Sequence, residues 1–154
     1  IGPDETLGDI YFNKLFPMGV EAMLESLDLI KSGVVIKHDQ RLSEGTYEGW
    51  FGKKEARLDW SQPVTTVYNK IRAANPAPGA WTTVVGKEIK IYDCKRVDGV
   101  GQAGEVISVN ESGVTVQAVG GRILISRVRI DKGKVPASDW AKSAGIEVGM
   151  GFGT

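Results

Sequence analysis

One histidine, one cysteine and one glycine-rich stretch are the features of this 154-residue chain that first suggest chemistry. His38 has no Cys or His near it in sequence, so an exposed linker histidine is favoured over a metal ligand. Cys94 is expected to be a small, buried or half-buried thiol at the end of a strand. Because the chain contains only one histidine, no Ser-His-Asp or Cys-His arrangement can be assembled convincingly, and no paired carboxylates suggest acid–base catalysis. We therefore predict no catalytic residue and no metal site in this chain.

The glycine-rich stretch at residues 99–104 fits the pattern G-x-G-x-x-G. In dinucleotide-binding proteins such a pattern opens a helix, whose N-terminal N–H groups bind the phosphates. Here it lies between two predicted strands and no helix follows it. The stretch is therefore interpreted as a loop.

A basic stretch near the C-terminal end is the remaining candidate for binding chemistry. Arg122, Arg127 and Arg129 lie on one predicted strand, and Lys132 and Lys134 follow it. On a barrel these side chains could face a polyanion, as in oligonucleotide-binding barrels; the alternative is a solvated strand face. The whole chain has 19 basic and 19 acidic side chains, which argues against a general cationic grip on nucleic acid.

The composition limits the class of protein. Twenty glycines favour turn-rich β structure, and a single cysteine allows no internal disulfide. No apolar run is long enough to span a bilayer, and no signal segment opens the chain. We expect a soluble, cytoplasmic domain. The first residue is Ile rather than Met, which favours a processed or excised piece.

Helical periodicity dominates the first part of the sequence. One short helix is predicted over residues 6–15, and a second begins near Pro17 and stops at Gly33. In the second helix five apolar residues recur at steps of three and four, namely Val20, Met23, Leu24, Leu27 and Ile30. Two helices of this size cannot fully bury their apolar faces against each other. They require a further layer, which this chain does not obviously provide.

The remaining sequence changes from linker to helix to strands. Residues 38–54 combine glycine, serine and charge with Tyr47, Trp50 and Phe51, which is typical of an ordered linker. A helix follows Ser61, the candidate N-cap, and ends at the Asn75-Pro76 pair. Five strands then alternate at period two, with a hairpin at Gly86-Lys87 and a bulge near Ser126. A last short helix opens at Ser138 and ends at Gly145.

Several segments together resemble the 10-formyltetrahydrofolate-dependent formyltransferases, a family that includes methionyl-tRNA formyltransferases and formyltetrahydrofolate hydrolase domains. The segments are residues 43–50 (SEGTYEGW), 53–63 (KKEARLDWSQP) and 71–82 (IRAANPAPGAWT), with 6–11 (TLGDIY) and 15–20 (LFPMGV) at the N-terminal end. The ARLDW and NPxPGA segments are specific when they occur in this order. The likeness runs nearly from end to end.

The resemblance implies an α+β fold: two N-terminal helices and a linker, then a helix and a small OB-like antiparallel β-barrel. It divides the chain into the last helices of a catalytic domain (1–37), the linker (38–54) and the barrel domain (55–154). The family's Asn-His-Asp catalytic set would lie before residue 1, in a Rossmann-like domain that is absent from this chain and would be its partner. His38 does not match the catalytic His.

For function, the resemblance implies a non-catalytic C-terminal portion of an enzyme that uses 10-formyltetrahydrofolate and no metal. This portion would help to orient the substrate or to close the cleft. Tyr47 matches the tyrosine of a TYEG segment that borders the folate cleft, so it is the candidate folate-cleft residue. The formyl acceptor, a small molecule or an aminoacyl-tRNA, stays open, as does whether formyl is transferred or hydrolysed; no membrane partner is implied. The alternative is a free-standing barrel that binds nucleic acid through Arg122, Arg127 and Arg129.

Overall fold

The computed structural model describes residues 1–35, 37–131 and 133–153, and these form two compact units, Ile1–Trp50 and Phe51–Thr154. The elements are α1 (Leu7–Ile10), a π-helical turn (Tyr11–Leu15), α2 (Phe16–Lys31), a 3₁₀ turn (Leu42–Glu44), α3 (Val64–Ala73), β1 (Ala80–Val84), β2 (Lys87–Val97), β3 (Val106–Asn110), β4 (Gly113–Ala118), β5 (Gly121–Arg129), β6 (Lys134–Pro136) and α4 (Ala137–Ala144). The boundary between the units falls inside the segment predicted as a linker.

The first unit is helical, and its two predicted helices are joined without a break. Thr6 and Asp9 form a reciprocal capping box at the start of α1. The π-helical turn then carries the chain into α2, where the Phe16 N–H reaches back to the Tyr11 carbonyl. Pro17 has no N–H to donate, so a wider turn just before it lets the helix pass the proline. Gly33, at φ +79°, follows the end of α2 as expected.

The second unit, called the barrel unit below, is built on a six-stranded antiparallel sheet. Its strand order is β1-β2-β5-β4-β3, with β6 paired to β5. Three of the predicted turns connect strands that are neighbours in the sheet, β1 to β2, β3 to β4 and β4 to β5, which explains the mostly local pairing. In the β2–β5 pair the register shifts around Tyr92 and Ser126, so the bulge predicted near Ser126 is confirmed. The short strand β6 was not anticipated from the sequence.

The C-terminal segment bridges the two edges of this sheet. The Phe152 N–H donates to the Gly104 carbonyl at 2.7 Å, just before edge strand β3, and the Met150 carbonyl accepts from the Val106 N–H at 2.8 Å. On the other edge, the Gly153 N–H donates to the Thr83 carbonyl of β1 at 2.7 Å. The sheet is therefore open in its own pairing but nearly closed by this segment, which gives the OB-like arrangement.

The core lies between one face of the sheet and helices α3 and α4. Ile71, Ile91 and Ile123 are fully buried there. Phe152 packs edge-on against Trp60 and Trp140, with ring centroids 5.7 and 6.2 Å apart. The Trp60 indole N–H donates to the Thr82 hydroxyl at 3.0 Å, so the buried polar atom is satisfied.

The predicted helix starts and stops are largely as observed. Helix α3 begins at Val64 after Pro63, without a side-chain cap, so the N-cap assigned to Ser61 was wrong. Ser61 instead donates its hydroxyl and N–H to Asp59, which fixes the turn before the helix. Helix α4 ends at Gly145, in the left-handed region, as predicted. None of the helices described is both long and apolar enough to cross a membrane.

Candidate functional site

The helical unit exposes a continuous apolar groove. It is lined by Tyr11, Leu15, Phe16, Gly19, Val20, Met23 and Leu24 and has a volume of about 450 Å³. Nothing lies within 4 Å of a Cβ built on Gly19, so the floor of the groove is open. Among the residues described in this unit, none is buried. A contiguous exposed apolar groove of this kind marks an interaction site, so it is a candidate docking surface.

Tyr47, the candidate folate-cleft residue, lies in the extended segment after the helical unit's 3₁₀ turn. Its side chain is 92% exposed, and that of Trp50 is 95% exposed. Thr46 and Glu48, on either side of Tyr47, are joined by a hydrogen bond of 3.4 Å. The structure therefore presents the aromatic ring on the surface, and the assignment of Tyr47 to a folate cleft stays a prediction.

Arg122 is committed to a structural role at the start of β5. Its Nε donates to Gln117 Oε1 at 2.9 Å, and its Nη2 donates to the Val100 carbonyl at 3.1 Å. Gln117 is itself buried and donates to the carbonyls of Gly99, Ala118 and Gly121. This network fixes the G-x-G-x-x-G stretch as a loop beside the sheet, in agreement with its interpretation from sequence.

Arg127 and Arg129 lie at the other end of β5, beyond the bulge. Arg127 forms an ion pair with Asp93 at 3.3 Å, and Arg129 Nη1 reaches the Tyr92 hydroxyl at 3.5 Å. At about 3.3 Å per residue, Arg122 is roughly 20 Å away along the strand. The structure thus brings two of the three candidate arginines together and separates the third. Lys132, from the same basic stretch, lies outside the described residues.

A cleft at one end of the barrel unit was missed by the reasoning from sequence. It has a volume of about 590 Å³ and is lined by Lys54, Arg57, Leu58, Asp59, Trp60, Ser61, Ala103, Phe152 and Gly153. Hydrogen bonds from the Ser61 hydroxyl, the Gln62 amide and the Ser61 N–H lower the pKa of Asp59, so this carboxylate stays ionised. The ARLDWS segment supplies most of the wall. Its combination of Arg, Asp and Trp is the sequence feature from which this cleft could have been predicted.

The two single-copy residues do not form a site. His38 is exposed. Cys94 is half-buried, as expected, and burial, with a smaller contribution from the Asp93 charge, raises the pKa of its thiol to about 12. A thiol held neutral in this way is a poor nucleophile. Within the described part of the chain, no group of three or more His, Cys, Asp or Glu side chains is placed to hold a metal ion.

Comparison with known proteins adds relatives to this geometry. The chain is 30% identical over 154 residues to a methionyl-tRNA formyltransferase of Geotalea daltonii, covering 99% of this chain and 49% of the relative. It is 35% identical over 141 residues to the methionyl-tRNA formyltransferase of Moorella thermoacetica, covering 90% and 45%. The chain therefore spans about half the length of the curated relatives that it matches.

Solved structures agree in fold. A variant of HypX from Aquifex aeolicus superposes with a TM-score of 0.76 at 26% identity, over 94% of this chain and 26% of that one. HypX in complex with tetrahydrofolic acid gives a TM-score of 0.72 at 25% identity, again over 94% and 26%. The expected α+β, OB-like architecture is thus confirmed.

The family model decides the identity of the barrel unit. The model for the formyl transferase C-terminal domain matches residues 51–145, which run from the start of the barrel unit to the glycine that ends α4. The matched region includes the ARLDW and NPxPGA segments on which the resemblance depended. This chain belongs to the formyltransferase family, of which it carries the C-terminal domain.

Proposed function

We propose that this chain is the non-catalytic C-terminal portion of a formyltransferase-type enzyme that uses 10-formyltetrahydrofolate. In that enzyme it helps to orient the substrate or to close the cleft of an N-terminal, Rossmann-like catalytic half. The observation that carries the proposal is the match of residues 51–145 to the C-terminal domain of the family. The enzyme acts in the cytoplasm, and its formyl acceptor is an amine or, for a hydrolase, water.

The exposed groove of the helical unit supports the docking part of this proposal. The groove is formed by apolar side chains of one helical face, and most of them are about half exposed or more, such as Phe16 and Met23. Covering such side chains is worth about 25 cal/mol for each Å² of apolar area removed from water. A catalytic half of the size that the curated relatives carry in addition would provide this cover.

The exposed ring of Tyr47 supports the part of this proposal that concerns the folate cleft. A related structure, HypX, binds tetrahydrofolic acid. A pteridine ring is flat and polarisable, so a tyrosine that lies free on the surface can stack against it when the catalytic half brings the ligand near. In this proposal Tyr47 borders the folate cleft and carries out no chemical step.

The absence of turnover by the chain alone is the first test. Formyl transfer needs an acid or base and a hydrogen-bond donor for the developing oxyanion, and each such donor is worth a factor of roughly 10² to 10³ in rate. We expect the purified chain, incubated with 10-formyltetrahydrofolate, to release tetrahydrofolate no faster than buffer does. Sustained turnover that disappears in His38→Ala would contradict the proposal and place an active site in the linker.

A fusion provides the positive test. The N-terminal half of the Geotalea daltonii relative, joined to this chain, is expected to recover release of tetrahydrofolate, and His38→Ala should leave that rate unchanged. Tyr47→Ala should raise KM for the donor several-fold, whereas Tyr47→Phe, which keeps the ring, should restore it. A folded fusion without activity would contradict the proposed role, and an active fusion that is indifferent to Tyr47→Ala would contradict the role of this residue alone.

Nucleic-acid binding through Arg122, Arg127 and Arg129 is a second candidate function. The observation in its favour is that curated relatives are named for methionyl-tRNA. Retention of RNA at low salt, lost steeply as salt rises, is its expected signature. Arg129→Gln should weaken that binding more than Arg122→Gln, because Arg122 already donates to Gln117 and to the loop, whereas Arg129 reaches the Tyr92 hydroxyl at 3.5 Å.

A further inference from the structure

Three cations lie side by side across the barrel sheet. Lys90 of β2 is directly opposite Arg129 of β5, and Arg129 is directly opposite Lys134 of β6. Residues opposite each other in antiparallel strands lie on the same face, with Cβ atoms about 5 Å apart. The three side chains, which we call the cation row, therefore occupy roughly 10 Å of one face.

None of the three side chains of the cation row forms an ion pair with a carboxylate among the residues described. The nearby ion pairs are formed elsewhere, between Arg127 and Asp93 at 3.3 Å and between Lys53 and Glu88 at 2.7 Å. Like charges placed directly opposite each other destabilise a sheet. An anion bound at the row would relieve that repulsion.

The side chains of the row are held in place by polar and aromatic contacts. The Lys134 ammonium lies 4.0 Å from the centroid of the Tyr92 ring, and Arg129 reaches the hydroxyl of the same tyrosine. The Lys90 ammonium donates to the Pro78 carbonyl at 2.8 Å. Each lysine has three N–H donors and arginine has five, so these contacts leave donors available for a ligand.

We propose that the cation row binds the diphosphate group of a small molecule. Two linked phosphates present several negative oxygens within the span of the row, and charge-assisted hydrogen bonds to phosphate are among the stronger polar contacts. A polynucleotide would need a longer basic track with free aromatic platforms. Trp81, opposite Lys90 on β1, offers no such platform, because Lys53 and Arg57 lie 5.1 and 5.5 Å from its ring centroid. The site is independent of the proposed function.

Titration of the full ¹⁵N-labelled chain with inorganic diphosphate tests the proposal. Backbone amides of β2, β5 and β6 around the row are expected to shift together. Lys134→Gln should weaken binding about fivefold, as expected for one exposed charge pair. The matched control is Lys142→Gln, an exposed lysine on α4 that removes the same charge outside the row and should leave the affinity unchanged.

A second variant and a second probe complete the test. Arg129→Gln, at the centre of the row, should weaken diphosphate binding at least as much as Lys134→Gln, with the amide spectrum reporting that the fold is kept. Equal weakening by Lys142→Gln, or the absence of any amide shift near the row, would overturn the site. A short oligouridylate that binds where diphosphate does not would also overturn it, and would favour the nucleic-acid candidate.

Discussion

The two compact units of this chain differ in how much of their apolar surface is covered. In the barrel unit a sheet, two helices and a C-terminal segment cover one another, so side chains such as Ile71 and Ile125 are fully buried. In the helical unit Phe12, Met18 and Leu24 each expose more than half of their surface. Both units have amphipathic sequence patterns, but only the barrel unit contains the elements that cover its apolar faces.

This difference shows that an amphipathic helix predicts a surface that covers its apolar face, but does not predict that this surface belongs to the same unit. The spacing in α2 is as regular as that in α3, and α3 buries Val67, Tyr68 and Ile71 because a sheet lies under it within the same unit. Helix α2 has no buried residue. Most helical stability in proteins comes from tertiary packing, so the two helices should differ sharply in how they behave alone.

The largest expected effect follows from separating the units. A chain of residues 51–154 should unfold cooperatively in urea, as the barrel unit contains its own core. A peptide of residues 1–50 should show little helix in water, because its amphipathic helix has no buried face and most helical stability in proteins comes from tertiary packing. Circular dichroism of both pieces checks this. A stable, fully helical 1–50 peptide that remains monomeric would break the comparison.

Substitution of two phenylalanines, one in each unit, tests the same comparison at single side chains. Phe152 is 4% exposed against Trp60 and Trp140, and Phe152→Ala should lower the free energy of unfolding by about 3–5 kcal/mol. Phe12→Ala, at a side chain 63% exposed, should change the denaturation midpoint of the chain hardly at all. Equal losses from both substitutions would mean that the helical face is already covered.

The alkylation rate of a thiol measures the same difference in burial between the two units, with a smaller expected effect. Cys94, with a pKa raised by burial to about 12, should alkylate slowly at about pH 8, whereas a Ser26→Cys thiol on exposed α2 should react at the rate of a free cysteine. The unfolded thiol ionises near 9.0, so the contribution of Cys94 to stability is constant below pH 9.0 and falls as pH rises towards 12. Rapid labelling of native Cys94 would contradict its placement.

The smallest expected effect is a gain. Val85 adopts a positive φ of 50° in the two-residue turn between β1 and β2, where a β-branched side chain is strained. Val85→Asn should raise the free energy of unfolding by about 0.5–1 kcal/mol. Val100→Asn, at another exposed valine without a positive φ, is the control and should be neutral. Urea denaturation of both variants measures the difference.

Local features of the fold were within reach of the sequence. The three-and-four spacing of apolar residues gave α2 and α3, the change to period two gave strands β1 to β5, and Gly145 marked the end of α4. The irregular alternation around Ser126 located the bulge. Each of these depends on neighbours within one turn or one hairpin, so the signal is contained in a short stretch of residues.

The candidate sites needed more than local pattern. The strand that carries Arg122, Arg127 and Arg129 was visible from sequence. The Gln117 network, however, ties the Arg122 side chain to the 99–104 loop, and the bulge separates it from the other two. The cation row places Lys90 beside Arg129, although β2 and β5 are far apart in sequence, and adds Lys134 from β6, the next strand. Register between strands is a long-range property, and a shift of one residue would move these side chains to the other face.

The sequence by itself determined the longer helices and strands β1 to β5, the family likeness in its ARLDW and NPxPGA segments, and the unpartnered apolar face of α2. Only the tertiary structure decided that the C-terminal segment joins both edges of the sheet, that Pro17 lies inside a continuous helix, and which cations share a face. The physical reason is the range of the interactions. Propensity, capping and periodicity act over a few residues, whereas edge pairing, register and burial join groups that meet only when the whole chain has folded.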